Sequence, residues 1–200
     1  MKPVFIHKQK PLVEPKFLTK DAQLVTYTRG DKLGKQHQWE VGTGHDTVHI
    51  LVNNIDHNEL LLVKQIRIPV LINQSDHSGE VIECCAGLVD KYSSCTDDYR
   101  IPKTAIEEMH EELGYLVPIK RLVPITTTLN AVGTKGSKSH HFYCEVADTD
   151  YIGQKLSPDE DIEAYSLDYI DVFPFLNEVT NTDSTTRMLL QWWLLNKIKE

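Results

Sequence analysis

Four carboxylates stand within six residues in Glu107-Glu108-Met109-His110-Glu111-Glu112, and the run closes on Leu113-Gly114. No other stretch restricts the fold as much. If Ala105 to Leu113 is helical, a rotation of ~100° per residue gathers Glu108, Glu111 and Glu112 on one face and Ile106, Met109 and Leu113 on another. Pro102 suits a first helical position, and Gly114 suits the left-handed residue just past a helix end. Like charges on one helical face repel. Two environments relieve that repulsion: open solvent, or a hard divalent cation. Oxygen-only donors would favour Mg²⁺ or Mn²⁺ over zinc.

Upstream, Glu83-Cys84-Cys85-Ala86-Gly87-Leu88-Val89-Asp90 reads as a strand running into a glycine turn. Here the chain resembles the Nudix hydrolases, whose box reads G-x5-E-x7-R-E-U-x-E-E-x-G-U, with U an aliphatic or aromatic residue. Gly87 matches the opening glycine, and Glu108, Met109, Glu111, Glu112, Gly114 and Tyr115 match in register. A long pattern of fixed spacing is far more specific than an acidic pair. The resemblance implies an α/β fold, the Nudix-type α/β/α sandwich, with a mixed sheet and an N-terminal β extension. It also implies that Glu108, Glu111 and Glu112, with the Ala86 carbonyl, hold Mg²⁺, and that Glu83, the nearby strand glutamate, is a substrate-binding residue.

Two departures stand out. Glu107 occupies the place of the family arginine, and Gly87 to Glu107 spans 20 positions where the box has 14. In the family that arginine pairs with the loop glutamate, whose place falls at Tyr99, beside Arg100. A reversed pair, Arg100 with Glu107, could hold the turn; Glu107 could equally be an outer carboxylate or simply solvated. The insert Lys91 to Arg100 is polar and carries no readable function.

In chain order, residues 22–29 alternate like a strand, Gly30 to Gly34 is turn material, and a short strand surrounds Trp39 to Val41. Residues of about 1–42 resemble the N-terminal sheet of the nucleoside-diphosphate-sugar branch, where the sheet supports a dimer and helps bind the nucleoside. Trp39 is a candidate base-stacking platform, or an ordinary interface or core tryptophan. Residues 46–54 and 59–66 read as a strand hairpin, the second buried on both faces. Val63-Lys64-Gln65-Ile66-Arg67 resembles the family's V-[KR]-Q-[FY]-R segment, whose arginine contacts the diphosphate. Arg67 is therefore the expected substrate fork, against the alternative of a surface ion pair.

Residues 72–79 read as a loop and Glu80 to Cys85 as one strand. Beyond the helix, strands are expected at Arg121 to Thr128 and His140 to Val146, with a glycine-rich loop between them and a long apolar-faced helix over Ser184 to Lys199. The Val132-Gly133-x-x-Gly136-Ser137 form resembles the UDP-sugar pyrophosphatases. Ser157-Pro158-Asp159-Glu160-Asp161-Ile162-Glu163 resembles a family segment whose loop glutamate activates water. Glu160 is the first candidate base and Asp159 the second.

The 200 residues, 40% hydrophobic and 25% charged, suit a single domain with a real core. A net charge of −8 argues against nucleic acid or an anionic membrane as main partner. The four cysteines, at 84, 85, 95 and 144, have no C-x-x-C spacing, and no signal peptide or spanning run is visible. A cytoplasmic protein with free thiols follows as the expectation. The resemblance implies a homodimer that hydrolyses a nucleoside-diphosphate sugar, UDP-glucose-like, to nucleoside monophosphate and sugar 1-phosphate. ADP-ribose, giving AMP and ribose 5-phosphate, is the alternative substrate. The changed Glu107 keeps open a non-catalytic nucleotide-sensing module.

Overall fold

The computed structural model describes residues 4–11, 23–74, 78–157 and 160–197. Two compact units are present, one drawn from Met1–Asp46 and Thr128–Ser139, the other from Thr47–Thr127 and His140–Glu200.

In the first unit β1 (Val4–Pro11), β2 (Gln23–Arg29) and β3 (Gln36–Val41) form an antiparallel sheet in that order. Trp39 lies opposite Val25 on β2.

The second unit is built on β4 (Thr47–Asn54) and β5 (Glu59–Ile66), the expected hairpin. Leu60 to Val63 are all buried, as their unbroken apolar run predicts, because helices cover both faces. The sheet runs β10 (Ile162–Asp168), β5, β4, β9 (Ser137–Val146), β8 (Val123–Asn130). The expected single strand over Glu80 to Cys85 is two strands. β6 (Glu80–Glu83) pairs with β5, and β7 (Cys85–Leu88) pairs with β4. The step between them at Cys84 moves the chain across one strand and aims β7 at the helix.

That helix, α2 (Asp97–Leu113), starts five residues before Pro102, so proline is not its first residue. Asp97 and Asp98 in its first turn complement the helix dipole, and the extension buries Ile101. Pro102 has no N–H for the Asp98 carbonyl; packing of Ile101, Ala105, Ile106, Met109 and Leu113 on Val48, Ile50, Val52 and Val63 offsets that loss. Gly114 ends the helix at φ 83°, the left-handed conformation expected of it.

The opposite face of the sheet packs Leu51, Leu60, Leu62 and Leu167 against α3 (Val172–Glu178) and α4 (Ser184–Lys197). Trp193 is core, as the helix pattern predicts. The layers are helix, sheet, helix. After Arg67 comes a short helix, α1 (Ile68–Asn73), which buries none of its residues and takes in the first two residues of the 72–79 stretch expected as loop. Among the described residues no helix is long and apolar enough to cross a membrane.

Candidate active site

β7 and α2 meet at Gly87. A Cβ there would overlap the Glu108 carboxyl, so the glycine leaves open the space that this carboxyl occupies against the strand. Above this contact opens a cavity of about 500 Å³ whose walls include Arg67, Ala86, Lys91, Glu108, Glu111, Glu112 and Glu160.

Glu112 is its buried end, with only 6% of its surface exposed. One carboxylate oxygen accepts the Ala86 N–H at 3.0 Å, and the Cys85 thiol also hydrogen-bonds to it. Gln154 donates to the Glu112 carbonyl, tying the helix end to the loop beyond it. Burial pushes the Glu112 carboxyl up to about 7. Burial, with the neighbouring charges of Glu112 and Glu111, pushes Glu108 up to about 8. Glu111 lies further out, 3.5 Å from Lys91 Nζ. Two carboxyls, Glu108 and Glu112, that resist ionisation at neutral pH are short of nearby positive charge.

Arg67 sits at the end of β5. Its Nε and Nη2 lie 2.8 and 2.7 Å from one oxygen of Glu83, and Gln65 Nε2 donates to the same oxygen at 3.2 Å. Glu83 therefore aims the arginine. A guanidinium carries five N–H donors, so the fork keeps donors for the cavity. Glu160 reaches the cavity from the loop before β10, and its carboxylate accepts the Ser157 N–H at 2.9 Å. Asp159 lies outside the described residues.

The fit of a divalent cation can be judged from these donors. Among the described residues no three His, Cys, Asp or Glu side chains already close around one point. The three helix glutamates nonetheless share one cavity wall and supply only hard oxygen donors, and Glu108 and Glu112 carry a desolvation that a cation would relieve. They fit Mg²⁺ or Mn²⁺ better than a softer ion.

No family model matches the chain. A GDP-mannose pyrophosphatase of Pectobacterium atrosepticum is 32% identical over 155 residues, covering 76% of this chain and 74% of that protein. The chain belongs to the Nudix hydrolases. A uridine diphosphate glucose pyrophosphatase of Mus musculus, NUDT14, is 30% identical over 139 residues, 58% of this chain and 60% of that protein. A solved structure of an ADP compounds hydrolase superposes with a TM-score of 0.69 at 15% identity, covering 98% of this chain and 97% of that one, which establishes the shared fold.

Within this Nudix chain, Arg67, Ala86, Glu108, Glu111, Glu112 and Glu160 come together at one cavity, and Glu83 stands behind Arg67. Trp39 belongs to the other unit. It is half exposed on β3, and its indole N–H donates to the Gly133 carbonyl at 2.8 Å.

The expected pair of Arg100 with Glu107 is not formed. Seven residues separate them on one helix, a rise of ~10 Å, and Arg100 instead binds Asp97 at 2.7 Å. Glu107 is met by the Tyr92 hydroxyl and, at 3.3 Å, by Lys103 Nζ. Lys91, Tyr92 and Cys85 were not legible as site residues. Lys91 and Tyr92 lie in an insert without a motif, and a cysteine in an apolar strand looks like core.

Proposed function

We propose that this Nudix chain hydrolyses the pyrophosphate bond of a nucleoside-diphosphate sugar, releasing nucleoside monophosphate and sugar 1-phosphate, with Mg²⁺ as the working ion and Mn²⁺ as a substitute. One observation carries the reading: three glutamates of a single helix and the Arg67 fork line the same cavity, in a chain related to GDP-mannose and UDP-glucose pyrophosphatases.

Glu108, Glu111 and Glu112, with the Ala86 carbonyl, would hold the ion. When bound, it supplies Lewis-acid polarisation of phosphoryl oxygens and a more acidic water. Arg67, aimed by Glu83, binds diphosphate oxygens through paired N–H donors. Glu160 takes the proton of the attacking water as that water's oxygen bonds to phosphorus. The bridging P–O bond breaks, and its electron pair leaves with the departing phosphate. Trp39 is assigned to the nucleoside, where its exposed ring would stack on a base.

The protein is further read as a cytoplasmic homodimer. Free thiols at Cys84, Cys85, Cys95 and Cys144 suit a reducing compartment. The three-stranded sheet of the first unit has β1 and β3 as its edges, and strand edges invite pairing with a second copy. Sedimentation velocity tests the dimer.

The activity is tested by product release from UDP-glucose, GDP-mannose, ADP-ribose and ADP-glucose with Mg²⁺, wild type against Glu112→Gln. Turnover that disappears in the variant supports the hydrolase. Tight binding of one nucleotide with no turnover by the wild type would replace it with a sensing module.

A further inference from the structure

Among the described residues lining the cavity, carboxylates outnumber cations: Asp90, Glu108, Glu111, Glu112, Glu160 and Asp161 face only Arg67 and Lys91. The two cations are held differently. Arg67 is fixed by short contacts to a Glu83 side chain that is only 15% exposed. Lys91 is 46% exposed, and its ammonium stands 3.5 Å from Glu111, well beyond the ~2.8 Å of a tight charge-assisted bond. A compact charge on a flexible four-carbon stem can be redirected at little expense.

The backbone beneath Lys91 is anchored. Tyr92, the next residue, has φ 60°, a left-handed conformation unusual for a bulky side chain. Its hydroxyl donates to Glu107, its ring meets Tyr99 edge-on at 6.3 Å, and its carbonyl accepts the Cys95 N–H at 2.9 Å. Both Glu107 and Tyr99 belong to α2, the helix that carries the site glutamates. The turn is latched to the same rigid element that Lys91 faces.

We propose that Lys91 is a substrate-binding residue that exchanges partners: it neutralises Glu111 in the ion-free protein and turns to the substrate's diphosphate once Glu111 serves a divalent ion. Tyr92 and Glu107 are its positioning residues, a loop hydroxyl donating to a helix carboxylate. The assignment rests on the hydrolase reading for its substrate, but not for its ion-binding half.

Two readouts of opposite sign test it. Mn²⁺ binding to the substrate-free protein is followed by electron paramagnetic resonance, and steady-state kinetics are measured on the best nucleotide sugar. Lys91→Met should bind Mn²⁺ about three- to five-fold more tightly, because a competitor for Glu111 is gone. The same variant should raise KM about ten-fold with kcat within roughly two-fold of wild type. Lys91→Arg should restore KM, and Tyr92→Phe should move both quantities the same way by a smaller factor. Unchanged or weaker Mn²⁺ binding in Lys91→Met, or an unchanged KM, would overturn the proposal. If the wild type turns over no nucleotide sugar, the hydrolase reading fails by itself. The Mn²⁺ titration and a calorimetric Kd for UDP-glucose then decide the role of Lys91.

Discussion

Replacing Glu112 by glutamine should stabilise the ion-free protein at pH 8 while removing its chemistry. Glu112 is 6% exposed, and its carboxyl is pushed from 4.5 to about 7, chiefly by burial. At 1.36 kcal/mol per pKa unit, ionising it in the folded state opposes folding by roughly 3 kcal/mol. The folded carboxyl keeps its proton up to about pH 7, whereas the unfolded one loses it near 4.5. In that window the folded state binds more protons, so stability falls as pH rises, and the full penalty stands above pH 7. Glutamine keeps an oxygen for the Ala86 N–H and adds an amide donor whose desolvation returns about 1 kcal/mol. A net gain of about 2 kcal/mol remains, which raises Tm by roughly 4–8 °C in a chain of this size. The assay is thermal unfolding in EDTA at pH 8 and again near pH 5, where the two proteins should converge. With saturating Mg²⁺ or Mn²⁺ the order should reverse, because only the wild type gains the free energy of binding. A variant melting below wild type at pH 8 in EDTA, or an equal rise with metal in both, would refute the assignment of Glu112 as a desolvated ion ligand.

Other outcomes follow from the same geometry. Gly87→Ala should drive the Glu108 carboxyl off the strand and lower kcat/KM about 100-fold, as a displacement of ~1 Å in a site can; near-wild-type turnover would show that Glu108 has room to move. Arg67→Lys keeps the charge but loses the two-nitrogen grip on Glu83, so KM should rise about ten-fold; an unchanged KM would remove Arg67 from the substrate. His49 lies beside Thr47, 3.1 Å from its hydroxyl, and burial, with the nearby His141, lowers its pKa to about 4. Between pH 6.5 and 4 the unfolded state takes up the proton that the folded state refuses. Stability should therefore fall on acidification by up to about 3 kcal/mol relative to His49→Gln, measured by urea unfolding at several pH values. Parallel pH profiles for the two proteins would contradict that origin.

Regular elements were legible where one local period decided them. Alternation marked β2, and the unbroken run Leu60 to Val63 marked a central strand, because covering both faces of a sheet requires apolar side chains at every position. The stripe Ile106, Met109, Leu113 marked the buried face of α2. Boundaries read from a single residue were less secure. Pro102 suggested a helix start, yet burying Ile101 and placing Asp97 and Asp98 in the first turn carried the helix five residues further back. The short helices α1 and α3 leave too few turns for a period to show.

The sequence alone determined the chemistry on offer. Glutamates at helical spacing place oxygen donors on one helical face, and the glycines before and after them mark a turn and a helix end, since helical rotation and glycine's missing Cβ are local properties. Only the tertiary structure decided which charges meet. Glu83 with Arg67, Tyr92 with Glu107, Lys91 with Glu111 and the approach of Glu160 depend on how loops close over a sheet whose strands are far apart in the chain. Charge and spacing do not encode that closure. It follows from the packing of α2 on β4 and β5, with β10 beside β5, which brings Arg67, Glu112 and Glu160 to one cavity although they are far apart in the chain.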